Sequence, residues 1–237
     1  MSVIDDLIAF IAAKNASFVS RIKGAAADRI ARFETIAGRP LPFAYKEFLH
    51  RFGDDDGGLR IGDHSTTKLE TIIEYYEEIT RDGERDRMIP DDCVVIAYIG
   101  VGTFDLSLDF SSRANPTVIF SSGHEKKGLC SESLDKLLFR TAFWRFYAPS
   151  FRCKSAYNVA DKNVGLQFIT PVIRQMGFDI AWFSDAVAVF ASRPDAAIIV
   201  DQTLARPVAW HLLSNDQAVL DKLAASLKKT VGLVEIQ

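Results

Sequence analysis

Between Arg29 and Leu49 the chain carries a pattern that dictates where helices must stop and start. Ile30, Phe33 and Ile36 recur at the spacing of one helix face, which predicts a helix from about Ala25 to Ala37. Gly38 then falls where the chain needs a left-handed residue after the last turn, a conformation that glycine adopts without steric cost. Pro42 can sit in the first turn of a second helix, because its missing N–H would have no helical partner there. That helix carries Phe43, Phe48, Leu49 and Phe52 and is expected to end near Gly53, with a turn at Asp54 to Gly58 behind it. A short strand at Leu59 to Ile61 follows in this reading.

Glu34, Gly38, Leu41, Pro42, Tyr45, Phe48 and Leu49, followed by Gly57 and Gly58, resemble the motif run of the SMI1/KNR4 family, also called the SUKH superfamily. The resemblance covers about residues 25–147. It implies N-terminal helices followed by a mostly antiparallel sheet, and a surface loop shaped by glycines between two central strands. Gly100, Gly102, Asp105 and Asp109 match that loop. The resemblance also implies a protein that binds another protein and is not an enzyme. Bacterial members are known mainly as immunity proteins that neutralise a cognate toxin, often a nuclease or another polymorphic toxin. Fungal members act as regulatory scaffolds. The expectation is therefore an antitoxin that works by stoichiometric binding without a cofactor, with a scaffold of the same family as the alternative.

The chain has 237 residues, 48% hydrophobic and 25% charged, enough for one large or two small domains with a real core. The net charge of -3 argues against direct nucleic-acid binding, which asks for a basic excess. The charge is uneven: residues 61–95 hold ten acidic and four basic side chains. Cys93, Cys130 and Cys153 are an odd number without metal-ligand spacing, which fits a reducing compartment and no metal. Asp5 and Asp6 stand where a signal peptide needs positive charge, and no apolar run has the length of a membrane span. A cytoplasmic location without membrane attachment is expected.

Val3 to Ile11 has helical periodicity, as does Leu69 to Thr80. Val94 to Ile99, Phe104 to Phe110 and Thr117 to Phe120 read as strands, and Ser133 to Phe146 as a covering helix. Helices first, then strands, then a closing helix give an α+β class. The domain reading is 1–150, a linker at 151–163 where the pattern turns polar, and a smaller α+β unit at 164–237 of open role. That unit should hold a helix to Met176, strands near Asp179, Ala186, Ala197 and Val208, a helix after Asn215-Asp216 and a last strand near Leu233.

Other motifs resolve against chemistry. Gly100, Gly102 and Asp105 lack the third glycine of a dinucleotide fingerprint, and a strand follows where a helix would be required. Asp54, Asp55 and Asp56 lack the alternate spacing and distal glutamate of a calcium loop, so a solvated turn is expected. A hydrolase using His64 or His124 is the least favoured reading, since no nucleophile elbow or zinc signature accompanies them. The acidic face of Glu70, Glu74, Glu77 and Glu78, continuing into Asp82 and Glu84, is the candidate partner surface, with Tyr75 as aromatic anchor and Asp105 from the glycine-rich loop. Such a face can steer association with a basic partner. Trp144 and Trp182 are expected in the core. The sequence leaves the oligomeric state and the partner's identity open.

Overall fold

The computed structural model describes residues 2–62, 65–98, 104–111, 115–159, 165–205 and 208–235, and the chain divides into two compact units, Met1–Ala142 and Phe143–Gln237. Both combine helices with antiparallel sheets, so the α+β class holds.

The first unit opens with α1 (Val3–Ala12), capped reciprocally: the Asp5 N–H donates to Ser2 Oγ and the Ser2 N–H to Asp5 Oδ2. A short α2 (Phe18–Arg21) leads into β1 (Ile22–Lys23). Helix α3 (Ala27–Ala37) buries Ile30, Phe33 and Ala37, and α4 (Phe43–Phe52) buries Tyr45, Phe48, Leu49 and Phe52. Then come β2 (Asp55–Asp56), α5 (Leu69–Arg81) and α6 (Arg85–Met88). A four-stranded antiparallel meander follows, β3 (Cys93–Ala97), β4 (Asp105–Asp109), β5 (Thr117–Ser122) and β6 (Glu125–Ser131), before α7 (Leu134–Ala142). The rings of Phe18, Phe52, Phe48 and Tyr45 pack in succession at 5.2–6.1 Å, which ties α2 to α4. The expected strand at Leu59–Ile61 does not form. Asp55–Asp56 pairs with Ile22–Lys23 instead, since Gly57 and Gly58 turn the chain with positive φ directly after it.

The second unit begins with a π-helical turn, Phe143–Tyr147, and a 3-10 turn, Ala148–Ser150. Its elements are β7 (Cys153–Val159), α8 (Leu166–Gln175), β8 (Asp179–Ile180), β9 (Ala188–Arg193), β10 (Ala196–Asp201), β11 (Ala209–Ser214), α9 (Gln217–Val231) and β12 (Leu233–Glu235). They build one antiparallel sheet in the order β12-β7-β11-β10-β9-β8. One face carries Tyr157, Val189, Ile198, Trp210 and Leu212 against Ile169 and Ile173 of α8 and Leu220, Leu223 and Leu227 of α9. The segment 151–163, read as a linker, therefore contains a strand with neighbours on both sides. Its polar residues misled because Lys154 and Asn158 alternate with Tyr157 and Val159, the signature of a strand with only one face in the helix-covered core.

Candidate functional site

The turn between α3 and α4 fixes the helix that carries the acidic residues. Gly38 takes the left-handed conformation at φ 73°, and its N–H returns to the carbonyls of Glu34 and Thr35. Glu34 folds over this turn: its Oε1 accepts the Leu41 N–H at 2.7 Å and lies 3.3 Å from Lys46 Nζ. Arg85 donates to the carbonyls of Ile36 and Ala37 at 2.9 and 2.8 Å, satisfying acceptors that the end of α3 leaves open, and stacks over Tyr76. Arg39 reaches Asp92, donating to its carbonyl and its carboxylate, and lies over the Phe110 ring. Sequence reasoning missed Arg39 and Arg85, because their partners lie about fifty residues away along the chain.

The acidic triplet after α4 is not a solvated turn. Asp54 is largely buried between Arg29, 2.7 Å away, and Lys23 at 3.6 Å. The Arg29 hydrogen bond holds the Asp54 carboxyl below its ordinary range, against the opposing effect of burial. Asp56 accepts from the backbone of Gly58 and Arg60 and from the Thr67 hydroxyl, and Asp55 accepts from the Gly57 N–H.

On α5 the glutamates split into two groups. Glu70 lies within 3.6–3.9 Å of Arg29 and Arg32, and Glu77 pairs with Arg32, so α3 neutralises this edge of the helix. Glu74 and Glu78 are exposed and have no ion pair among the described residues, and Asp82, also exposed, closes the helix. Glu84 pairs with Arg87 three residues on.

Tyr75 does not stand where a partner could grip it. It is 4% exposed, its ring stacks on Tyr98 at 4.1 Å, and its hydroxyl donates to the Met88 carbonyl. Its burial follows from its packing: the ring sits edge-on to Tyr76, which is fully buried and receives the Val95 N–H. The more exposed ring is Tyr98, half-buried just after β3, which the sequence reading placed inside the strand Val94 to Ile99. Burial raises the Tyr98 hydroxyl pKa, and the charges of Asp105 and Glu78 raise it further. That coupling brings the acidic helix and the start of β4 to the same tyrosine. The candidate site is therefore Glu78 of α5, Tyr98 on its Tyr75 support and Asp105, with Glu74 exposed one turn before Glu78 on the same helix. Gly100 and Gly102 lie outside the described residues, as does His64.

The remaining chemistry is sparse. His124 is exposed at the β5–β6 turn while Cys130 is buried near the end of β6, and six residues of strand hold them roughly 20 Å apart. Burial pushes the Cys93 thiol up to about 11, away from a reactive thiolate. Among the described residues no helix is long and apolar enough to cross a membrane.

The helix punctuation and the antiparallel meander behind it define an α+β domain of a known family. The model of the SMI1/KNR4 family (SUKH-1) matches residues 24–151, more than half of the chain, and the chain belongs to that family, which includes immunity proteins. No curated protein matches the chain.

Proposed function

We propose that this protein is a cytoplasmic immunity protein that neutralises a cognate toxin by stoichiometric binding, with the face formed by Glu74, Glu78, Tyr98 and Asp105 as its docking surface. The observation that carries the reading is the contrast along α5. Glu70 and Glu77 are neutralised from α3, whereas Glu74 and Glu78 have no ion pair among the described residues, and Glu78 acts on a tyrosine held on a buried ring. Unpaired carboxylates raise the encounter rate with a basic surface such as a nuclease cleft, and an immobilised tyrosine adds contact area at little entropic cost. The partner's cleft or an adjacent exosite is occluded, and neither metal nor cofactor takes part.

The test co-expresses the chain with the product of a neighbouring toxin-like gene. Complex formation and rescue of growth are expected. A toxin that stays active and unbound beside the folded protein defeats the immunity reading.

A further inference from the structure

We propose that the second unit holds a separate binding groove for a small planar anion of nucleotide size, an aromatic ring bearing a phosphate or carboxylate. The groove lies on the sheet face opposite α8 and α9, is open to solvent along one side, and offers about 470 Å³, within the range of roughly 300–1,000 Å³ typical of small-molecule clefts. Its floor is a block of two neighbouring strands, where Lys154 pairs with Leu213 and Ala156 with His211. Its wall is the segment that opens the unit, Trp144 and Arg145 on the π-helical turn and Ala148 and Pro149 on the 3-10 turn.

Four observations point to that ligand. The π-helical turn is rare and concentrates at functional sites, because one extra residue per turn redirects the side chains. Here Phe143 is buried against Phe183 and Phe190, while the adjacent Trp144 stays 39% exposed at the groove. An indole left in water beside a concavity offers a stacking surface, and it is already braced edge-on by the His211 ring at 4.6 Å. Among the described residues that line the groove, Arg145 and Lys154 are the charged ones, and both are basic. Lys154 is exposed and makes no ion pair among the described residues. Burial holds the His211 pKa below its ordinary value, with Asp201 opposing, which favours the neutral imidazole, a group that can pair with a ring heteroatom. Asp201 itself is occupied by the Thr203 N–H and hydroxyl. Finally, β7 has β12 on one side and β11 on the other, so a peptide cannot add there as a strand.

The full-length protein is titrated with AMP, following tryptophan fluorescence and, independently, heat. Saturable binding is expected. Trp144→Phe should abolish the fluorescence response, since Trp210 is fully buried and Trp182 does not line the groove. Lys154→Glu should weaken affinity about tenfold or more, the loss of one charge-assisted contact, while Lys222→Glu on α9 changes nothing. Lys154 is exposed, so its variant keeps the fold, as circular dichroism will verify. Absence of saturable binding overturns the proposal, as does binding insensitive to both Trp144→Phe and Lys154→Glu. Adenosine binding as tightly as AMP removes the anion, and inorganic phosphate binding as tightly removes the ring. Tighter capture of an oligoglutamate peptide or a single-stranded oligonucleotide assigns the groove to a macromolecule and equally overturns it. None of these outcomes bears on the acidic face of the first unit.

Discussion

Gly38 and Gly57 show how differently two glycines of one motif run are constrained. A Cβ on Gly38 would meet nothing nearer than an Arg85 nitrogen at 4.0 Å, so only the left-handed backbone resists substitution. Gly38→Ala is expected to cost about 1 kcal/mol in urea unfolding. At Gly57 a Cβ would stand 2.8 Å from Ile22 and from the buried Phe18 ring, adding overpacking to the same backbone strain. Gly57→Ala should therefore cost about 2–4 kcal/mol, and equal losses for the two variants would contradict this distinction. Glu34 belongs at this scale too. Glu34→Ala leaves the Leu41 N–H without its acceptor and should cost about 1–3 kcal/mol, whereas Glu34→Gln keeps the acceptor and should cost less. The helix stop at Gly38 was legible in the sequence, because backbone restriction is a property of one residue. The hydrogen bond of Glu34 was legible only as an option, since its geometry depends on where the following helix begins.

Helices α3 and α5 form the element on which the proposed function rests. Their facing charges sort the glutamates, a division that no heptad or wheel diagram of α5 alone displays, because Arg29 and Arg32 come from another helix. Glu74→Lys with Glu78→Lys should slow association with the partner and flatten its salt dependence, leaving the unfolding midpoint nearly unchanged. Glu77→Lys should instead destabilise the fold by about 0.5–1 kcal/mol, the usual size for a partly exposed pair, and change association less. Surface plasmon resonance and urea titration on the same three proteins separate these outcomes. Asp54 and Arg29 give the acid response of the same helix. The Asp54 carboxyl lies below its ordinary range when folded, so its contribution is present above the ordinary carboxylate pKa of about 4 and is lost as pH falls through the lower folded value. Asp54→Asn should lose stability at neutral pH and show a shallower decline on acidification; an unchanged acid limb would remove Asp54 from that role.

Across the whole molecule, charge divides with the fold. The first unit carries 23 Asp and Glu against 18 Lys and Arg, and the second carries eight against ten. If the acidic face docks a basic toxin, raising ionic strength should lower the association rate far more than it raises dissociation, because steering acts on the encounter. A complex whose association is salt-independent would place the interface elsewhere. By itself the sequence determined the main helices, the central meander, the α+β class, the family and the acidic segment. Each of these follows from periodicity, backbone restriction or composition, which act over a few residues. Tertiary structure alone decided which glutamates stay unpaired, that Tyr98 and not Tyr75 faces solvent, and that β7 occupies the presumed linker. It alone places Trp144 and Lys154 on one groove. Those outcomes depend on side chains distant in sequence meeting in space, where burial and ion pairing are settled by the neighbours and not by the residue.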